Sequence, residues 1–363
     1  MKAYYKKRVE KLITEMSKTS VDGALLIDPA SVQYFTGLKL VSSERSLYAF
    51  IGNDGSVVIF APKLEINQAR DEAVLGDVVE ISRNVSAFSE ISSYIRTKNI
   101  KRLGIEGLKF SYIMLQRFSS NEGINIKDIS NTIAYIRSKK DLLELENIIR
   151  AITITEQALN VAKDMIMEGV KEIEIMNAVI SEMINNGAEW IAFIPIVASG
   201  VRGAYPHGSS SNKILKSGEL VVVDLGARVN GYCADLTRTF IVGKPGEKEI
   251  ELYQIINDAI EQALKAISPN VKVSEIDKAA RQIIERKGYG EYFTHGLGHG
   301  IGLAVHEYPT LNSISDDIIE EYNVVTIEPG IYIPGFGGIR IEEDVLITKN
   351  GYQLLSHFPR DLY

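Results

Sequence analysis

The hydrophobic positions of residues 1–130 alternate between helical and extended spacing. Near the N-terminus they recur every three or four residues, which predicts an amphipathic helix. Its apolar stripe consists of Tyr5, Val9, Leu12, Ile13 and Met16. Four short apolar runs then predict strands of one mixed sheet. They lie at 24–27, 47–51, 57–60 and 102–106, with an Asn-Asp-Gly turn at 53–55.

From Ser138 onwards the pattern changes to long helices that alternate with strand pairs. Two apolar stripes at helical spacing predict the first two helices. One stripe is Leu142, Leu145, Ile148, Ile149 and Ile152, and the other is Met176, Val179, Ile180 and Met183. Further helices are predicted at 249–267 and 274–287. The chain is therefore predicted to be an α/β protein with a smaller N-terminal domain at 1–130 and an α+β domain at 131–363.

The composition favours a soluble protein of two domains: among 363 residues, 45% are hydrophobic and 24% charged. A formal net charge of -7 disfavours nucleic acid and anionic membranes as partners. No apolar stretch reaches the roughly 20 residues of a membrane span, and the basic N-terminus does not resemble a signal peptide. The single cysteine, Cys233, suits a reducing compartment, so we expect a cytoplasmic protein.

Two carboxylates are predicted to converge on one hairpin, whose sequence at 219–240 is ELVVVDLGARVNGYCADLTRTF. The dipeptide Asn230-Gly231 favours a two-residue turn that places Val229 opposite Tyr232. Counting outwards in that register, Asp224 and Asp235 emerge on the same face as diagonal neighbours. A lone Asp would ordinarily end a strand or face solvent. Here the apolar run at 220–223 predicts burial, where two carboxylates repel each other unless a cation lies between them.

The remaining candidates follow in two further segments. The glycine-rich stretch at 294–302 contains His295 and His299, with His306 shortly after it, and imidazole is a common metal ligand. A lone histidine in such a loop would more often be structural. A second strand pair, at 324–329 (VVTIEP) and 339–345 (IRIEEDV), presents Glu328 and Glu342 within apolar strands.

Five motifs in order give the chain its resemblance to a known family. They are IVASGVRGAYPHG, VDLGARVNGYCADLTRTF, THGLGHGIGLAVHE, IEPG and GIRIEEDV, between residues 193 and 345. The segment resembles the pita-bread metallopeptidases of family M24, which include Xaa-Pro dipeptidase (prolidase) and aminopeptidase P. The resemblance implies a C-terminal pita-bread domain of the creatinase/aminopeptidase type. It also implies an N-terminal creatinase-type domain, ribonuclease H-like in fold, that covers the substrate or serves dimerisation.

The resemblance further implies a site for two divalent metal ions. It assigns Asp224 to one metal, His299 and Glu328 to the other, and Asp235 and Glu342 to both as bridges. Four carboxylates match the charge of two divalent cations. A ligand set rich in oxygen favours manganese or cobalt, with iron(II) or zinc as alternatives. Thr237, Thr239 and Thr326 lie beside ligands on the same strands and are candidates to orient them by hydrogen bonds.

Three further residues match positions at which the family handles substrate and proton. His207 and His306 are expected to flank the metals, although each on its own would be read as a surface or packing histidine. Arg340 shares a strand face with Glu342. Its guanidinium would bind either the C-terminal carboxylate of the substrate or one of the metal-ligating acids, and the sequence leaves both alternatives open.

The implied activity is hydrolysis of Xaa-Pro dipeptides by a hydroxide that bridges the two metals. Two metals close together lower the pKa of a bridging water and polarise the scissile carbonyl. Glu328 would accept and return the proton, and His207 or His306 would stabilise the oxyanion. The expected partners are a short proline-containing peptide and a second copy of the chain. The alternatives are an aminopeptidase P that acts on longer peptides, a metal-free creatinase-like hydrolase, and a non-catalytic binding module.

Overall fold

The computed structural model describes residues 1–39, 47–82, 86–119 and 123–362. The chain divides into two compact units, Met1–Arg137 and Ser138–Tyr363. The division falls at the C-terminal end of helix α6 (Ser130–Ser138). Among the described residues, no helix combines the length and the apolar character needed to cross a membrane.

The first unit is built on the predicted mixed sheet, which has six strands in the order β4-β3-β2-β1-β5-β6. The strands are β1 (Gly23–Leu26), β2 (Tyr48–Gly52), β3 (Val57–Pro62), β4 (Asp77–Ile81), β5 (Arg102–Ile105) and β6 (Asn125–Asp128). Strand β2 runs antiparallel to both β1 and β3, and the remaining three pairs are parallel. The mixed sheet predicted from the apolar runs is therefore confirmed.

The first unit also contains helices, which lie before, between and after these strands along the chain. Besides α6 they are α1 (Lys2–Lys18), α2 (Pro29–Thr36), α3 (Ile66–Glu72), α4 (Ala87–Thr97) and α5 (Tyr112–Ser119). Helix α1 buries Tyr5, Val9, Leu12 and Met16 of the predicted stripe, and Ile13, its fifth member, is only partly buried. The strands β1, β2 and β3 are buried along their whole length, so they form the centre of this core.

The helices of the second unit lie where the sequence predicted them. They are α7 (Leu142–Met165), α8 (Glu172–Asn185), α9 (Glu247–Ala266) and α10 (Val273–Arg286). Asp141 and Glu144 form a reciprocal capping box that starts α7. The stripe predicted on α7 is wrong at Leu142 and Ile149, which are 69% and 44% exposed. The helix buries the other three residues of the stripe, Leu145, Ile148 and Ile152. Leu142 and Ile149 are seven residues apart and so share one side of the helix, at the edge of its buried face.

The strands of the second unit form four small sheets. The first six strands are β7 (Trp190–Ile191), β8 (Ile196–Ser199), β9 (Leu220–Leu225), β10 (Ala227–Val229), β11 (Tyr232–Cys233) and β12 (Leu236–Ile241). They pair in the orders β11-β10-β7 and β12-β9-β8. The others are β13 (Gly298–Gly300), β14 (Glu307–Leu311), β15 (Val324–Ile327), β16 (Gly330–Ile333), β17 (Gly337–Arg340), β18 (Glu343–Thr348) and β19 (Gly351–Leu354). These pair as β14-β13-β15-β18-β19 and β16-β17.

Two hairpins of this unit are interrupted in the same way. In the first, the ladder breaks between the β9-β12 and β10-β11 pairs, yet the register on both sides is the one set by the turn. In the second, the ladder breaks between β15-β18 and β16-β17, again without a change of register. Continuing each register across its break places Gly226 opposite Asp235 and Glu328 opposite Glu342. The ladder of each hairpin is therefore interrupted at the position of the candidate acids Asp235, Glu328 and Glu342.

Glycine permits the close approach at the first break. A Cβ at Gly226 would lie 1.9 Å from the carbonyl oxygen of Ala234, so only glycine fits there. The peptide N–H of Ala234 donates to the carbonyl of Ala227 at 3.0 Å and joins the two strands of the hairpin just beyond that point. The two strands can thus approach closely at the break while Asp235 stays on the face shared with Asp224.

Candidate metal centre

Three buried side chains from distant parts of the second unit meet at one point. Asp235, His299 and Glu342 each offer one ligand atom, and these atoms lie within 4.8 Å of one another. Asp235 comes from the first interrupted hairpin, Glu342 from the second, and His299 from the short strand β13. Two carboxylates and an imidazole in such proximity match the donor set of a divalent transition-metal site.

Glu328 completes the cluster on the side of His299. The Nε2 atom of His299 lies 3.3 Å from Oε1 of Glu328 and 3.6 Å from Oδ2 of Asp235. Its Nδ1 atom lies 3.0 Å from the carbonyl oxygen of Gly300, and donation to that carbonyl leaves Nε2 as the ring nitrogen that faces the acids. The backbone N–H of His299 donates to the hydroxyl of Thr326 at 3.1 Å. The imidazole is thus held with one nitrogen directed into the acid cluster.

The fifth predicted ligand, Asp224, is paired with an arginine. Nη2 of Arg340 donates to Oδ2 of Asp224 at 2.6 Å. The same guanidinium donates to the hydroxyl of Thr237 at 3.0 Å and to the hydroxyl of Tyr332 at 2.8 Å. The sequence left open whether Arg340 contacts the substrate or an acid of the site. In the structure it contacts the acid.

The acids raise one another's pKa. Burial, followed by the like charges of Glu342 and Asp224, raises the pKa of Asp235 well above its ordinary value. Burial, with the neighbouring charges of Glu328 and Asp224, does the same to the pKa of Glu342. Burial also raises the pKa of Asp224, although Arg340 opposes the effect. Burial and mutual repulsion thus favour the protonated forms of these acids, whereas bound cations would favour the charged forms.

Glu328 and His299 shift each other's pKa in opposite directions. Burial alone would raise the pKa of Glu328, but the hydrogen bond and charge of His299 outweigh it, so the pKa is lowered. For His299, burial alone would lower the pKa, and the contact with Glu328 outweighs it and raises the pKa. The two residues therefore stabilise each other's charged forms in the absence of a cation.

Buried carboxylate oxygens that lack a hydrogen-bond partner support a fit to metal ions. Among the described residues, Oδ1 of Asp224, Oε1 of Glu342 and Oδ1 of Asp344 are buried without a hydrogen-bond partner. Buried carboxylate oxygens are rarely left unpaired, because desolvation without compensation is costly. Divalent cations at this point would supply the missing partner for the two predicted ligands, so the residues present fit the metals that the sequence implied.

Hydroxyl groups orient two of the ligands. Thr237 donates to Oε2 of Glu342 at 2.7 Å, and Thr326 donates to Oε1 of Glu328 at 3.2 Å. Both contacts agree with the orienting role expected from the sequence. Thr239 instead donates to the carbonyl of Arg340 at 2.9 Å, so it holds the backbone of the strand rather than a ligand.

The two flanking histidines are more exposed than the cluster. The ring of His306 lies 4.2 Å from the ring of His299, measured between centroids. Burial, followed by the positive charge of His299, lowers the pKa of His306, and the charge of His207 lowers it further. His207 lies in the loop after β8, where the neighbouring carbonyl of Pro206 accepts from Nη1 of Arg340 at 3.2 Å. Both histidines are exposed, and the ring of His306 lies beside that of the candidate ligand His299.

His295 belongs to a different network. Its Nε2 lies 2.9 Å from the hydroxyl of Tyr332, and its Nδ1 lies 2.7 Å from the carbonyl of Gly296. Tyr332 in turn receives the hydrogen bond from Arg340. These contacts hold His295 within its own loop. His357, near the end of the sequence, is exposed.

Sequence reasoning gave no role to two residues of the site. Tyr332 links His295 to Arg340, and no spacing along the chain signals that contact. Asp344 accepts the backbone N–H of Asp235 at 3.2 Å, and burial raises the pKa of its carboxyl group to about 8. Its position two residues after Glu342 places it on the same strand face, so alternation could have indicated it. Glu343, the residue between Glu342 and Asp344, pairs with Arg238 at 3.0 Å.

Comparison with known proteins gives a match over most of the chain. Residues 146–349 match the profile "Metallopeptidase family M24", and residues 8–139 match "Creatinase/Prolidase N-terminal domain". The two matches confirm the predicted fold class, a creatinase-type N-terminal domain followed by a pita-bread domain.

Individual relatives are similar over nearly their full length. An Xaa-Pro dipeptidase of Pyrococcus furiosus is 41% identical over 358 residues, covering 98% of this chain and 99% of the relative. The crystal structure of a prolidase from Pyrococcus horikoshii OT3 is 38% identical with a TM-score of 0.91, and the match covers 98% of this chain and 100% of that one. An X-Pro aminopeptidase from Thermotoga maritima is 35% identical with a TM-score of 0.90, covering 98% and 99%.

Proposed function

The chain belongs to metallopeptidase family M24, and from this premise we propose that it is an Xaa-Pro dipeptidase with two divalent metal ions per chain. The observation that carries the proposal is the convergence of three buried acids, the partly exposed Glu328 and one imidazole, with two ligand oxygens left unpaired among the described residues. The near full-length similarity to an Xaa-Pro dipeptidase supports the substrate class.

Five residues would hold the metals. Asp224 would serve one ion, and His299 with Glu328 the other. Asp235 and Glu342 would be shared, a proposal supported by the charges of both Asp224 and Glu328, which act on each of them. When bound, such ions activate water and polarise the peptide carbonyl. The oxygen-rich set favours manganese or cobalt over zinc.

Glu328 is the acid best placed to exchange a proton with water and substrate. Its side chain is 16% exposed, compared with 12% for Asp224 and 8% for Asp235. It can therefore contact solvent while it remains beside His299. We assign Glu328 the role of accepting the proton of the attacking water and returning it to the leaving nitrogen.

The exposed imidazoles would act on the substrate. His207 and His306 are exposed and so accessible to a peptide, and the ring of His306 lies against that of His299. A ring N–H there can stabilise the oxyanion that develops on the peptide carbonyl. Arg340 would orient Asp224 and hold its negative charge, because its donors are already directed to Asp224, Thr237 and Tyr332.

The N-terminal unit would restrict the substrate to dipeptides. A strict dipeptidase must exclude longer chains, and a domain beside the catalytic one, from the same or a second copy, is suited to do so. We assign residues 1–130 to substrate covering and dimerisation, residues 131–363 to catalysis, and the active form to a homodimer. The lone, buried Cys233 suits a cytoplasmic enzyme.

Hydrolysis of a peptide panel tests the proposal. Protein stripped of metal and then supplied with Mn²⁺ or Co²⁺ should cleave Ala-Pro and leave Ala-Pro-Pro and longer peptides intact. Release of the N-terminal residue from the longer peptides would instead establish an aminopeptidase P, an alternative that the Thermotoga relative favours. Absence of bound metal after reconstitution would favour a creatinase-like hydrolase or a binding module.

A further inference from the structure

The loop that carries His207 begins and ends on one buried carboxylate. Glu172 is the first residue of α8, and its side chain is fully buried. Oε1 accepts the backbone N–H and the hydroxyl of Ser199, both at 2.8 Å. Oε2 accepts the backbone N–H of Ser211 at 3.1 Å and its hydroxyl at 2.6 Å. A single side chain therefore closes the segment 199–211 at both ends.

An arginine connects the same carboxylate to the interior of the loop. Nε of Arg202 donates to Oε2 of Glu172 at 3.2 Å, and its Nη2 donates to the carbonyl of Ser209 at 2.5 Å. Within the loop, the N–H of Tyr205 donates to the carbonyl of Arg202, and the N–H of Gly208 donates to that of Tyr205, each at 3.0 Å. His207 lies inside this closed set of hydrogen bonds.

The side chain of Glu172 is not occupied with capping its own helix. The first N–H groups of α8 are satisfied by the loop backbone: Glu172 donates to the carbonyl of Lys213 at 3.1 Å, and Ile173 to that of Ser211 at 2.9 Å. The carboxylate receives five donors, all from residues of the loop segment. Since a buried charge is tolerated only when it is well satisfied, the charge and the loop conformation depend on each other.

The loop is also fixed against the metal centre. Nη1 of Arg340, the residue that holds Asp224, donates to the carbonyl of Pro206 at 3.2 Å. A Cβ at Gly338 would lie 2.0 Å from the carbonyl oxygen of Gly203, so the loop backbone lies directly on strand β17. A change in the loop would therefore alter the place of His207 relative to the ligands.

We propose that Glu172 is a positioning residue, which holds the 199–211 loop so that His207 keeps its place beside the metal centre. The inference rests on the proposed function, in which His207 acts on the substrate carbonyl. Glu172 touches neither substrate nor ligands and acts through His207. Loss of its charge changes the step that His207 serves and leaves metal binding intact.

A double-mutant cycle tests this dependence. Glu172→Gln keeps the shape of the side chain but replaces one accepting oxygen with an amide donor. In the wild-type background it should lower kcat/KM on Ala-Pro by about tenfold or more. In the His207→Ala background the same substitution should change kcat/KM less than about twofold, because the residue through which it acts is gone. Metal stoichiometry should equal that of wild type. Equal losses in both backgrounds overturn the proposal.

Hydrogen exchange on the metal-loaded protein gives a readout independent of activity. Amides of segment 199–211 should exchange faster in Glu172→Gln. The matched control is Glu144→Gln, another buried acid in a first helical turn, whose carboxylate accepts the N–H of Asp141 at 2.9 Å. It should leave this segment unchanged. Unaltered exchange in Glu172→Gln overturns the proposal whatever the activity.

The outcomes separate this inference from the proposed function. Full activity of His207→Ala would refute the role of His207 in hydrolysis, and with it the positioning role. A damaged His207→Ala with an unaffected Glu172→Gln would refute the positioning role alone. Where Glu172→Gln fails to fold, Ser199→Ala and Ser211→Ala each remove one hydroxyl donor and enter the same cycle.

Discussion

Arg340 donates to Asp224 at 2.6 Å while its other donors contact the hydroxyls of Thr237 and Tyr332. A buried guanidinium thus orients a carboxylate whose second oxygen is unpaired among the described residues. The pair holds the carboxylate of Asp224 in place, and the charge of Arg340 opposes the rise in pKa that burial causes there. Its removal should affect the metal centre before it affects the substrate.

Arg340→Lys tests whether Arg340 acts on the metal site or on the substrate. An ammonium group cannot contact Asp224, Thr237 and Tyr332 in the same geometry, so we expect metal affinity to fall by roughly 10–100-fold. Titration of the stripped protein with Mn²⁺ measures the change. Arg281→Lys is the matched control, because Arg281 pairs with the buried Asp277 on α10. Unchanged metal affinity with a raised KM for dipeptides would show that Arg340 binds the substrate carboxylate instead.

Adjacent acids on one strand should behave differently. Glu342 is directed into the cluster, whereas Glu343 pairs with the buried Arg238. We expect Mn²⁺ to raise the melting temperature of the stripped wild type, since a ligand that binds only the folded state stabilises it. Glu342→Gln should abolish this rise. Glu343→Gln should lower the melting temperature and keep the metal-dependent rise. Metal-dependent stabilisation of Glu342→Gln would remove that residue from the ligand set.

His306→Ala should separate catalysis from metal binding. Its ring contacts that of His299 but lies outside the acid cluster. We expect kcat to fall by about 100-fold, the scale of one lost oxyanion donor, with metal content preserved. Steady-state kinetics and elemental analysis give the two values. His357→Ala, at an exposed position, serves as the control with wild-type kinetics. Metal loss in His306→Ala would contradict the proposed division of roles.

The N-terminal unit contains a buried acid that should make its stability depend on pH. Burial raises the pKa of Glu106 despite a 2.5 Å hydrogen bond from Ser31. A carboxyl whose pKa is raised on folding retains more protons in the folded state, so its contribution to stability falls as pH rises above its unfolded value near 4.5. Glu106→Gln should therefore stabilise the protein more at pH 8 than at pH 5.

Thermal unfolding of the full chain at the two pH values measures this difference. A Glu106→Gln effect that does not grow with pH would contradict a pKa raised by burial at Glu106.

Much of the site could be predicted because its acids lie on hairpins with local rules. The turn at Asn230-Gly231 sets the register, and the structure keeps that register through the break, with Thr237 opposite Asp224. Alternation then placed Asp224 and Asp235 on one face. Hydrophobic spacing likewise predicted the helices and the mixed sheet. It was wrong at Leu142 and Ile149 because an apolar residue on a helix can face either the core or solvent.

Contacts between distant segments were decided only by the tertiary structure. Arg340 and Asp224 are 116 residues apart, and Glu172 meets Ser211 across 39. No local periodicity connects such pairs, because the path of the chain between them sets their distance. The sequence by itself determined which residues carry charge and which strand face they occupy. The packing of two interrupted hairpins determined which acids share a cation site and which partner holds each of them, because burial makes every unpaired charge costly.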